Sequence, residues 1–133
     1  MAGLTFGAVF EALSAAVFAV SPAVRYVALG RGQDVQLRER ADLAGASSSE
    51  SDRYEELLVN PTLLTLTRQR GEIDCGGLDY LIVAYGSFFQ LVLPLADGHL
   101  SVAIERSQAP TDLVEPIRAA IRGQGLSPAA SGS

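Results

Sequence analysis

One histidine and one cysteine are the side chains of this chain best suited to acid–base or nucleophilic chemistry, and neither has a partner in sequence. His99 follows Asp97-Gly98 between two apolar runs. A single histidine cannot build a metal site with ligands of its own kind, and no nucleophile stands near it for a general base to activate. It therefore reads as a solvated residue at a hairpin tip. Cys75 precedes Gly76-Gly77, with no adjacent cation to favour the thiolate, so it reads as structural or incidental. The carboxylates Glu50, Asp52, Glu55 and Glu56 cluster, but without the alternating Asp/Asn loop and terminal Glu of a calcium site. They read as the solvated start of a helix, where the positive end of the helix dipole favours them. Arg68 and Arg70 suit the other end of the same helix. Gly30-Arg31-Gly32 leads from one strand into another, so no helix N-terminus is available to hold phosphate there. The expectation is a non-enzymatic protein with no catalytic set, no metal and no cofactor.

Those residues sit on elements that the apolar spacing defines. Phe6, Val9, Phe10, Leu13, Val17 and Val20 recur at helical intervals, and Ser21-Pro22 ends that helix. The first twenty residues lack a basic leading region and carry Glu11 mid-segment, which argues for a helix of the domain rather than a signal peptide or membrane span. Residues 24–29 read as a strand, 30–33 as a turn and 34–40 as a half-exposed edge strand. The small polar stretch 41–51 reads as a mobile loop. Asp52 and Glu55 form a capping-box pattern for the next helix. Asn60-Pro61 interrupts that helix and looks like a restart, since asparagine caps and proline suits a first turn. Leu57, Leu58, Leu63, Leu64 and Leu66 give it an apolar side wider than one sheet needs.

Strands follow at 78–85, 88–95 and 100–106, the last two joined by a turn at Ala96-Asp97-Gly98-His99. Their apolar residues occupy both alternating sets, so helices must cover both faces of the sheet. A final helix spans about 111–122, and 123–133 reads as a disordered tail. The predicted fold class is α+β: an α-β-β-α-β-β-β-α order with a five-stranded antiparallel sheet, one helix on one face and two on the other. Strand 78–85 should be the free edge, with 88–95 and 100–106 interior.

Bulk properties narrow the function. The chain has 133 residues, enough for one domain, with 48% hydrophobic and 19% charged residues. All ten cations are arginine and the net charge is −5, so there is no basic footprint for nucleic acid. The expected location is the cytoplasm, with no membrane or nucleic-acid partner.

The element order, with SPAVRYVALGRGQDVQL as a first hairpin and YGSFFQLVLPLADGHLSVAIE as closing strands, resembles the Roadblock/dynein light-chain family. The resemblance covers about Phe6 to Arg122. It implies homodimers or heterodimers with second helices packed antiparallel and third strands paired at their edges. It also implies work as a regulator or scaffold for a small Ras-like GTPase. The candidate dimer interface is Tyr54, Leu57, Leu58, Leu63, Leu64, Thr67, Tyr80 and Ile82. The competing expectation is a profilin-like domain that senses a small molecule in a pocket under residues 41–51.

Overall fold

The computed structural model describes residues 5–41 and 49–127. Helix α1 (Phe6–Phe18) starts at Thr5, whose hydroxyl accepts a hydrogen bond from the Ala8 N–H at 3.0 Å. This cap satisfies a backbone donor that the first turn leaves open. Strands β1 (Val24–Arg31) and β2 (Asp34–Glu39) form a hairpin around Gly32-Gln33, with Gly32 at φ 62°. Three helical pieces then run without a break: α2 (Ser49–Tyr54), a π-helical turn (Glu55–Val59) and α3 (Asn60–Asp74). Strands β3 (Leu81–Ala84), β4 (Phe88–Leu95) and β5 (Gly98–Glu105) follow. A 3₁₀ turn (Pro110–Leu113) leads into α4 (Val114–Gly123).

The five strands form one antiparallel sheet in the order β2-β1-β5-β4-β3. Helices α1 and α4 cover one face, packing Phe10, Leu13, Val17, Ile117 and Ile121 onto the buried residues of β1, β4 and β5. The helical segment 49–74 lies over the other. The expected α+β fold is the fold observed, and β3 is an edge strand as its sequence suggests.

Four local expectations are corrected. Asn60-Pro61 does not restart a helix. Proline offers no N–H and its ring crowds the carbonyl four residues back. The chain answers by widening to a π turn, in which the Asn60 N–H donates to the Glu55 carbonyl. Helix α2 is already under way at Ser49, so Asp52 lies inside it and is not a cap. Strand β3 is shorter than 78–85. The C-terminal stretch also stays folded beyond 123. Gly125 takes φ 76°, Leu126 packs on the core, and the Ala96 N–H donates to the Ser127 carbonyl at 3.1 Å. The expected loop 41–51 falls mostly outside the described residues, as does the tail from 128.

Candidate interaction surface and the buried cluster beneath it

Among the described residues, the large apolar side chains left exposed are Tyr54, Leu58, Leu66 and Ile73, and all four lie on the helical segment 49–74. Their spacings of four, eight and seven residues place them along one side of it, over roughly 28 Å at 1.5 Å per residue. Tyr54, Leu57, Leu58 and Pro61 also wall a depression of about 640 Å³ beside the β1–β2 turn. An apolar stripe of this length on a solvent-facing helix marks a surface that another chain can cover.

The candidate interface residues divide. Tyr54 and Leu58 are exposed; Leu57, Leu63 and Thr67 are half-buried along the same segment. The Thr67 hydroxyl is turned back onto its own helix, donating to the Leu63 carbonyl at 2.6 Å. Leu64 is only 6% exposed and belongs to the protein's own interior. Tyr80 and Ile82 pack against the core under α1 and α4. They are on the opposite sheet face from the helix stripe. Strict alternation along β3 decides this, because Ile82 pairs with Leu91 of that core. Leu66 and Ile73 extend the exposed stripe, and the interface set omitted both.

Beneath the stripe is a polar cluster that the sequence reading missed. Glu56, expected in a solvated helix start, is 1% exposed. Its Oε2 accepts from the Tyr26 hydroxyl at 2.7 Å, the Ser101 hydroxyl at 2.6 Å and, more distantly, the Gln90 amide at 3.5 Å. Its Oε1 accepts from Asn60 Nδ2 at 3.0 Å and lies 2.8 Å from His99 Nε2. Gln90 in turn donates to Ser101. The residues come from the π turn, α3, β1, β4 and β5, so one carboxylate ties the helix to the three inner strands. Burial, and then the Glu56 carboxylate, push the Tyr26 phenol far above its ordinary pKa, so it stays protonated and can donate to that carboxylate. Asn60 Oδ1 has no partner. Turning the amide over would aim that oxygen at the Glu56 carboxylate, so the orphan is the lesser cost.

His99 is not a solvated tip residue; it is 5% exposed. The turn consists of Ala96-Asp97 alone, because Leu95 pairs with Gly98 and Pro94 with His99. Gly98 is drawn into the strand because a Cβ there would stand 1.9 Å from the Gly30 carbonyl oxygen. That register carries His99 onto the helix-covered face opposite Gly30. A Cβ at Gly30 would meet His99 Cε1 at 2.5 Å, so Gly30 leaves room for the ring.

At the start of the π turn, the Tyr85 hydroxyl lies 3.0 Å from both Glu55 carboxylate oxygens. Burial raises the Glu55 pKa; the Tyr85 hydrogen bond opposes this, and the nearby Glu56 and Asp52 charges add to it. Burial and Glu55 push the Tyr85 phenol up to about 12. Elsewhere, Arg70 pairs with Asp74 at 2.6 Å and also reaches Cys75 Sγ at 3.2 Å, so the exposed thiol does have a cationic neighbour. Asp79, at the solvent end of β3, pairs with Arg118. Arg68 lines a second depression of about 470 Å³ with Thr65, Gln69, Asp97 and His99. Among the described residues, no helix is long and apolar enough to cross a membrane.

No family model matches this sequence, and no curated protein matches it. Its structure is similar to a Roadblock/LC7 domain from Streptomyces avermitilis, with a TM-score of 0.66 and 16% identity over 84% of this chain and 90% of that one. The five-stranded antiparallel sheet and its flanking helices are thus those of the Roadblock/LC7 fold.

Proposed function

We propose that this protein is a non-enzymatic, dimeric regulatory or scaffold module that binds a small Ras-like GTPase in the cytoplasm. The observation that carries the reading is the stripe Tyr54, Leu58, Leu66 and Ile73, whose apolar surface has no covering element among the described residues. A second copy laid antiparallel on the stripe would remove that surface from water on both partners at once. The uncharged edge strand β3 (LIVA) supports pairing between copies as well, since it presents open backbone groups and no guarding charge. The single histidine supports the non-enzymatic reading. Its Nε2 is committed to a buried carboxylate, Glu56.

Size-exclusion chromatography with light scattering tests the dimer. Leu58→Asp combined with Leu66→Asp should give a folded monomer, because both side chains are more than half exposed already. A wild-type protein that is monomeric at the highest concentrations reached defeats the dimer reading. Titration against small GTPases of the source organism, loaded with GDP or a GTP analogue, tests the partner. Equal absence of binding to both forms defeats that part.

The depression beside His99 favours a second reading, small-molecule sensing, because Arg68, Gln69 and Thr65 converge on it. It lies between α3 and the strand turns.

A further inference from the structure

The two faces of the sheet are joined to their helices by different chemistry. Under α1 and α4 the contact is continuous and apolar, with Leu13, Val17, Val27, Leu91, Val102 and Ile117 fully buried. Under the segment 49–74 the buried apolar side chains are fewer and mostly smaller: Tyr26, Ala28, Val92 and Ala103 of the strands and Leu64 of the helix, with Leu37 and Phe88 at the margin. The middle of that face is Gln90, His99 and Ser101 instead, all gathered on Glu56.

Apolar contacts resist separation because water offers nothing in exchange for them. Hydrogen-bonding groups can be satisfied by water once a helix lifts away. We propose that the segment 49–74 is a separately releasable unit of this fold, held by the Glu56 carboxylate as its catch. It opens from β1, β4 and β5 while the α1/α4 side of the sheet stays folded. Further ties lie beside the catch and at the end of α3. The Tyr85 hydroxyl holds Glu55, and the Cys75 and Gly77 N–H groups both donate to the Gly71 carbonyl at 3.0 Å. The Gly71 tie joins the end of α3 to the approach to β3 and acts as the hinge. Opening must expose Leu64 of the segment together with Tyr26 and Val92 of the sheet. The proposal concerns the single chain and stands whether or not a second copy covers the outer stripe. That stripe rides on the same segment, so a ligand that touches both the stripe and a neighbouring strand shifts the balance toward the closed form.

Hydrogen exchange on the full chain, followed by mass spectrometry across a series of denaturant concentrations below the unfolding transition, tests this. Amides of 55–70 should exchange about tenfold or more faster than those of β4 and β5, with weaker dependence on denaturant, as expected of a partial opening. Glu56→Gln should speed exchange in 55–70 by about a further tenfold while β4 and β5 keep their rates. If the Glu56 variant does not fold, Ser101→Ala removes one donor and should move the same amides by less. The proposal fails if the wild-type helix and β5 amides open together with one denaturant dependence. It also fails if Glu56→Gln accelerates both regions equally or neither.

Discussion

Gly30→Ala should destabilise the protein through His99, and only through His99. The backbone at Gly30 is not in the left-handed region, so alanine fits its φ. In an unhindered site such a change stabilises a protein by about 0.4–1 kcal/mol, because it restricts the unfolded chain. Here the new methyl would stand 2.5 Å from His99 Cε1, 3.0 Å from Nδ1 and 3.1 Å from Nε2. Ordinary carbon contacts begin near 3.5 Å, so the ring must retreat by about 1 Å. Its Nε2 is 2.8 Å from Glu56 Oε1, and moving it breaks that contact. Overpacking of this kind costs about 1–3 kcal/mol, and a buried polar group left unpaired costs about 1–3 kcal/mol. The sum is about 2–6 kcal/mol. With a urea slope of about 1–3 kcal/mol per molar, the midpoint should fall by roughly 1–2 M. The decisive assay is the double-mutant cycle with His99→Ala, read by urea unfolding. In the His99→Ala background Gly30→Ala should become neutral or stabilising, reversing its sign. The same loss in both backgrounds would refute the steric argument, as would a loss below about 0.5 kcal/mol in the wild-type background.

Other consequences follow from the same geometry. Leu64→Asp puts a charge at a site 6% exposed and should cost about 3 kcal/mol or more in the monomer. Leu58→Asp should leave the monomer's thermal midpoint nearly unchanged. Tyr26→Phe removes one donor to Glu56 and should cost about 1–2 kcal/mol by denaturant titration. The Tyr26 phenol should stay protonated throughout the alkaline range of the native protein, so an ultraviolet titration should lack that ring until the chain unfolds, with Tyr85 ionising late, at about 12. The Glu55 carboxyl binds its proton more tightly when folded, since its pKa is raised above 4.5. Its contribution to stability is therefore complete below that value and is lost as pH rises through the raised one. Glu55→Gln should flatten that part of the stability–pH curve, and an unchanged curve would contradict the assignment.

The sheet was legible because its signals are short-range. Continuous apolar runs in β4 and β5 demanded cover on both faces, and the charged alternation of β2 marked an edge. The exposed apolar stripe was half legible. Leucine spacing pointed to the helix that carries it, yet it could not say which leucines face inward, and the π turn before Pro61 shifts the phase by one residue. Leu64 turned in, while Leu66 and Ile73 turned out. Tyr80 and Ile82 were placed with the helix because they neighbour it in sequence, whereas the pleat carries them to the other side.

The buried cluster was not legible at all. Glu56 and His99 lie 43 residues apart, and each has an ordinary solvated role in its local sequence. Hydrophobic periodicity and turn chemistry determine strands, helices and their order, because those depend on neighbours in the chain. What Glu56 touches depends on the register of β5 against β1. That register is set by the two-residue turn at Ala96-Asp97 and by the space that Gly98 and Gly30 leave between strands. Only the tertiary structure brings those choices together, because each of them is made by contact between distant segments.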